Sequence, residues 1–88
     1  MKLRGEFVVR QVMENTVAVP VGQTALHFNG MLLLNNVSRE IWRCLEQERD
    51  VDAMVQALTD RFAVSADEAR ADILEFLDKL RTLQLLEE

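Results

Sequence analysis

The fold of this chain depends most on the stretch Ala25-Leu26-His27-Phe28-Asn29-Gly30-Met31-Leu32-Leu33-Leu34-Asn35. An Asn-Gly pair between two apolar runs is typical of a tight hairpin turn, because both residues tolerate positive φ. The stretch therefore predicts a turn at Asn29-Gly30 and a strand over about 31–34. The apolar residues of this strand do not alternate with polar ones, so either both faces are covered or one face awaits a partner.

Two further strands are predicted before this stretch. Residues 7–12 are rich in β-branched side chains, and Val17 and Val19 alternate with other residues over about 15–20. A period of two is what a half-buried strand requires. Pro20 cannot donate to a sheet ladder, so it indicates the end of a strand or a sheet edge.

Three helices are predicted after it, over about 37–48, 51–62 and 66–83, because apolar residues recur there at helical spacing. Asparagine or aspartate can cap the first two helices. The segment Ser65-Ala66-Asp67-Glu68 has the form of a capping box before the third. Three short strands followed by three helices predict an α+β domain, and a β wing beside three helices favours a winged helix-turn-helix.

Size and charge restrict the function. The 88 residues allow one domain, and a composition of 49% hydrophobic and 28% charged residues is typical of a folded soluble protein. A formal net charge of -5 argues against a protein that coats nucleic acid, since such proteins usually carry a basic patch. No apolar segment reaches the roughly 20 residues of a membrane span. Without a signal peptide, and with one cysteine, a cytoplasmic location is expected.

Residues that could carry catalysis are few. His27 is the only histidine and Cys44 the only cysteine. A nucleophilic dyad of His27 and Cys44 remains an alternative. However, Cys44 lies on an apolar helical stripe, where free cysteine is usually a small buried hydrophobe. One histidine and one cysteine are too few for a typical zinc site. We therefore expect no catalytic residues, no metal, no cofactor and no enzyme activity.

The apolar strand is the first candidate binding surface. Proteins usually protect a sheet edge with charge or proline, and Met31, Leu32, Leu33 and Leu34 offer neither. A guest peptide could therefore add to this edge as another strand. The alternative is a fully buried central strand.

The last helix is the second candidate surface. Its residues Arg70, Leu74, Leu77 and Arg81 share one face beside an inner stripe that contains Ile73. This face could wall a groove whose arginines pair with acidic guest residues, and Leu77→Asp would then abolish binding in a folded protein. The alternative is a wide core stripe with ordinary solvent-facing arginines.

Taken in order, several segments resemble the PqqD-like family from about Phe7 to Glu87. They are Val17-Ala18-Val19-Pro20-Val21-Gly22, Leu26 to Asn35, Ile41-Trp42, Val51 to Phe62, Ala69 to Ile73, Phe76-Leu77, Leu80 and Leu85-Leu86-Glu87. The resemblance implies that residues 1–88 form one PqqD-like peptide-recognition domain with a winged helix-turn-helix fold. In this family such a domain is a recognition element (RRE) for ribosomally synthesised and post-translationally modified peptides (RiPPs).

The resemblance also implies a site and partners. The leader segment of a precursor peptide would lie as an added strand on the third strand, against Met31, Leu32, Leu33 and Leu34. On the helix side the resemblance implies Arg70, Ile73, Leu74 and Leu77, although it leads us to expect a polar residue where Leu74 stands. The implied partner is a modifying enzyme, either a radical-SAM maturase or a lasso-type leader protease.

Two alternatives belong to other classes of protein. A winged helix can bind DNA as a regulator, although the net charge and the acidic last helix argue against it. A homodimer could also form if the apolar strand edge pairs with its own copy.

Overall fold

The computed structural model describes all residues from Met1 to Glu88. Its elements are β1 (Lys2–Leu3), β2 (Phe7–Val12), β3 (Asn15–Pro20), α1 (Thr24–His27), β4 (Leu32–Leu34), α2 (Asn36–Glu46), α3 (Val51–Arg61), α4 (Ala66–Thr82) and β5 (Leu86–Glu87). The fold is α+β, with four helices and an antiparallel sheet of three strands. None of the helices combines the length and the apolar character needed to cross a bilayer.

The main sheet has the strand order β2-β3-β4. β2 and β3 pair over six residues each, from Phe7 opposite Pro20 to Val12 opposite Asn15. β4 pairs with the other side of β3, with Leu33 opposite Val17. β4 is therefore an edge strand, and the alternative of a central strand is wrong.

The region before β4 differs from its prediction. No strand directly precedes Asn29-Gly30, and the pair is not a hairpin turn, because Thr24–His27 forms the short helix α1. A distant contact holds this helix: the Thr24 hydroxyl accepts a hydrogen bond from the Glu6 amide at 2.7 Å. Gly30 nevertheless has a φ of 93°, so the chain does need glycine at this bend. Three helices were predicted and the structure has four, because α1 was not predicted.

Two very short strands, β1 and β5, were not predicted. They pair antiparallel, with Lys2 opposite Glu87 and Leu3 opposite Leu86. Two-residue strands have too little pattern for a periodicity argument, so the sequence gives no signal for them. The ladder joins the first residues of the chain to the segment after α4.

The starts of the three long helices are fixed by side-chain caps. Asn35 and Ser38 form a reciprocal capping box at the start of α2, with each side chain accepting from the other's amide at 2.8 Å. Asp50 caps α3 by accepting from the Ala53 amide at 2.9 Å. The Ser65 hydroxyl accepts from the Glu68 amide at 3.1 Å, as predicted. The Glu68 carboxylate, however, accepts from the Ser65 hydroxyl and not from its amide.

The core lies between the sheet and the three long helices. Its largest fully buried side chains are Ile41, Trp42, Leu45, Met54, Leu58, Ile73, Leu77 and Leu80. Phe7 of β2 meets Trp42 edge to face, with ring centroids 5.3 Å apart. Fully burying a side chain of this size contributes roughly 1.5–3 kcal/mol, so these contacts fix α2 and α4 beneath the sheet.

Candidate functional site

The three leucines of β4 alternate in their burial. Leu32 and Leu34 are 6% and 4% exposed, whereas Leu33 is 63% exposed. Successive side chains of a strand point to opposite sides, so two leucines enter the core and one remains accessible. The three leucines therefore have two different roles. Leu32 and Leu34 anchor the strand in the core, and Leu33 is accessible to a partner.

The outer edge of β4 has no partner strand, because β4 pairs only with β3. The backbone amides and carbonyls that point away from β3 are thus available for a further ladder. No charged residue or proline interrupts the strand. Met31, which is also exposed, directly precedes it.

A groove of about 370 Å³ lies beside this edge. Leu33 of β4 and Asn35, just after the strand, line one part of the groove. The other lining residues are Val37, Ser38 and Ile41 from α2, and Asp72, Glu75, Phe76 and Lys79 from α4. The α4 residues follow i, i+3, i+4, i+7 spacing and so share one face of the helix. The capping box brings α2 to the groove immediately after the strand.

The groove has an apolar centre and a charged rim. Phe76 and Val37 are partly buried and Ile41 is fully buried, so they supply apolar surface. Asp72, Glu75 and Lys79 are exposed around it on α4. A guest side chain could bury apolar atoms against Phe76 while its backbone follows β4.

Four of the predicted site residues have buried side chains. Leu32, Leu34, Ile73 and Leu77 belong to the core cluster. Leu32 and Leu34 can offer a guest only their backbone groups. Leu77 is completely buried, so Leu77→Asp would place an unpaired charge in the core and destabilise the fold, and it does not provide a clean test of the site.

The predicted arginines have partners elsewhere. Arg70 bonds Asp52 of α3 at 2.9 Å. Arg81 bonds Asp78 and Glu88, both at 2.7 Å, and the hydrogen bond to Glu88 raises the pKa of Arg81. Neither arginine lines the groove.

Leu74 is 45% exposed, but it also lies outside the groove lining. The helix face of 70, 74, 77 and 81 is therefore not the face that borders β4. Each residue step turns a helix by about 100°, so the groove face at 72, 75, 76 and 79 is a different side of α4. None of these four residues was among the predicted site residues, because Arg70, Leu74, Leu77 and Arg81 indicated another face of the helix.

The cysteine is not placed for nucleophilic chemistry. Cys44 is 3% exposed, and burial, with a smaller contribution from Glu40, raises the pKa of its thiol. A thiol in that state is a poor nucleophile. His27 is exposed on α1, at a depression that it shares with Arg4 and Phe28. No cluster of three or more His, Cys, Asp or Glu side chains could hold a metal ion.

Fold and groove together define a small α+β domain with an open strand edge that a helix borders. A family model described as Coenzyme PQQ synthesis protein D (PqqD) matches residues 15–86. The chain belongs to this family, and the resemblance read from the sequence is confirmed.

One solved structure has the same fold and is described as TbiB1 in complex with the TbiA(beta) leader peptide. It superposes with a TM-score of 0.75 at 23% sequence identity, over 99% of this chain and 95% of that one. No curated protein matches this chain.

Proposed function

We propose that this chain binds the leader segment of a ribosomally made precursor peptide as an added strand on β4. It then presents the peptide to a separate modifying enzyme, such as a radical-SAM maturase or a leader protease, and does no chemistry itself. The observation that carries the proposal is the unpaired edge of β4, with Leu33 exposed beside the groove. Family membership and the TbiB1 complex with its leader peptide support the proposal.

The arrangement is that of a winged helix-turn-helix adapted to a peptide. The β2–β3 hairpin is the wing, α2 to α4 are the helical unit, and the guest lies between β4 and α4. On the strand side, the guest would contact the backbone of residues 32–34 and the exposed side chains of Met31 and Leu33. Phe76, Val37 and Lys79 line the opposite side. The exchange would take place in the cytoplasm, where precursor peptides are synthesised.

Energetics make the apolar contact decisive. A ladder hydrogen bond contributes about 0.5–1.5 kcal/mol, whereas ordering a flexible guest costs roughly 1–2 kcal/mol per residue. The three residues of β4 cannot offset that cost with hydrogen bonds alone. A leucine-sized guest side chain buried against Phe76 adds about 1.5–3 kcal/mol and selects the guest by its shape.

The test is a calorimetric titration of the chain with the leader segment of a precursor peptide encoded beside it. We expect saturable one-to-one binding, and Leu33→Asp should weaken it at least about tenfold, because a charge replaces the apolar neighbour of the guest strand. The matched control is Leu26→Asp, at a more exposed leucine on α1 outside the groove. Equal affinity of the Leu33 and Leu26 variants would reject the site.

Duplex DNA serves as the second control. An acidic chain with an acidic α4 should not bind it at physiological salt. Binding to DNA that weakens steeply with salt, without peptide binding, would reject the proposal.

A further inference from the structure

A second cleft lies on the side of α2 that faces away from the groove. It encloses about 350 Å³ and is lined by Asn36, Arg39, Glu40, Arg43, Arg61 and Phe62. Its α2 residues follow i, i+3, i+4, i+7 spacing, on the opposite side of the helix from 37, 38 and 41, which line the groove. We call it the arginine cleft.

The arginine cleft is positive on a chain whose net charge is -5. It holds three of the ten basic residues. Arg61 bonds Glu40, a largely buried carboxylate, at 2.6 Å, so one arginine neutralises the one acid of the cleft. Arg39 and Arg43 take part in none of the six ion pairs of the chain.

Two free guanidinium groups one helical turn apart select a particular ligand chemistry. Guanidinium binds carboxylate through paired hydrogen bonds that lysine cannot reproduce. Four residues of α-helix rise about 6 Å, which places Arg39 and Arg43 that far apart along α2. In an extended peptide, side chains at i and i+2 point the same way and lie about 6.6 Å apart. Acidic residues at that spacing match the two arginines.

The cleft continues from the groove. The groove shares Leu33 and Asn35 with a depression at the start of α2. That depression also contains Asn36, which lines the arginine cleft. A peptide that leaves the groove at the Asn35 end can therefore reach the arginines by passing over the start of α2.

The direction of the guest follows from the sheet. β3 and β4 are antiparallel, and a guest that continues this alternation runs antiparallel to β4. Its N-terminal end then leaves the groove where β4 ends, next to Asn35. We propose that the arginine cleft binds a pair of carboxylates at i and i+2 in the same precursor peptide, on the N-terminal side of the residues that add to β4. This inference rests on the proposed function.

The probe is a display library of randomised 20-residue peptides, selected on the immobilised chain and separately on Arg39→Gln/Arg43→Gln. Peptides retained by the unmodified chain should carry an apolar strand segment preceded by an acidic pair. Peptides retained by the double variant should keep the apolar segment and lose the acidic pair. The recovered sequences thus report on the groove and the cleft separately.

One peptide from the first selection is then measured by calorimetry. Arg39→Gln/Arg43→Gln should weaken it about tenfold, the size expected for two partly screened ion pairs, and added salt should reduce the difference. The matched control is Arg10→Gln/Arg49→Gln, which removes the same charge from two arginines that are also unpaired but lie outside the cleft. The control should change affinity less than twofold.

The outcomes separate the two proposals. An apolar segment without an acidic pair, or equal losses in both double variants, overturns the arginine cleft as a leader site and leaves strand addition intact. If acidic residues are selected only on the C-terminal side of the apolar segment, the proposed position of the acidic pair is wrong. If the library yields no binder, or if Leu33→Asp retains every selected peptide, strand addition fails and this inference fails with it.

Discussion

The two edges of the three-stranded sheet are built differently. β2 at one edge has six residues, and its exposed half carries Arg10 and Gln11. Charged and polar side chains discourage a further strand. β4 at the other edge has three residues, all leucine, and Leu33 is exposed. The protected edge thus resists pairing, whereas the unprotected one borders a groove.

The difference shows how a short strand can keep its edge free. β2 is held by a long ladder to β3. β4 has only three paired residues and is held from beneath, by the burial of Leu32 and Leu34, and from behind, by the capping box at Asn35. Because these contacts position β4, its outer hydrogen-bonding groups remain available to a guest.

The largest expected effect comes from removing the support beneath β4. Leu32→Ala should lower the free energy of unfolding by about 2–5 kcal/mol, because it leaves a cavity in the core. Val12→Ala at the β2 edge removes a side chain that is half exposed and should cost less than about 0.5 kcal/mol. Urea unfolding of both variants measures this contrast. A loss for Leu32→Ala as small as the one expected for Val12→Ala would mean that β4 is not held from beneath.

An intermediate effect is expected from the cap behind β4. Asn35→Ala removes the acceptor for the Ser38 amide and should lower the free energy of unfolding by about 0.5–2 kcal/mol. Because α2 also lines the groove, guest affinity measured by calorimetry should fall severalfold as well.

Asp50→Ala is the matched control for this cap, since Asp50 caps α3, which does not line the groove. It should cost similar stability and leave affinity unchanged. Equal losses of affinity in both variants would show that the cap at Asn35 has no special role at the groove.

Local features of this fold could be predicted from the sequence, and relations between distant residues could not. The caps at Asn35, Asp50 and Ser65 depend on neighbours within three residues, so their residue types reveal them. The helix α1 was missed because its anchor, the bond between Thr24 and Glu6, spans 18 residues.

In the candidate site, too, the local feature could be predicted and the relation between distant residues could not. The strand that forms one wall was predicted, because three leucines after a glycine give a local signal. The groove face of α4 was not, because Leu74 and Leu77 suggested the opposite face, and only packing shows Leu77 in the core and Phe76 at the groove. Which side of β4 pairs with β3 is likewise absent from the sequence pattern.

The smallest expected effect concerns the far end of α4, where Arg81 was predicted to contact a guest. The hydrogen bond from Arg81 lowers the pKa of the Glu88 carboxyl. A lowered pKa in the folded state means that the link contributes at pH values above the unfolded-state pKa, about 4.3 for glutamate, and is lost as the pH falls through the folded-state pKa. Both groups are solvent-exposed, so the effect on stability is slight.

Arg81→Gln separates this structural role from a role in binding. The pKa of Glu88, followed by carboxyl chemical shifts in an NMR titration, should rise toward its ordinary value, because its hydrogen-bond donor is lost. Guest affinity should stay within about twofold, since Arg81 lies outside the groove. Arg70→Gln is the control, because it breaks the ion pair with Asp52 and should leave the Glu88 pKa unchanged. A loss of affinity in Arg81→Gln as large as that in Leu33→Asp would return Arg81 to the site and would place the guest on the face of α4 that Leu74 shares.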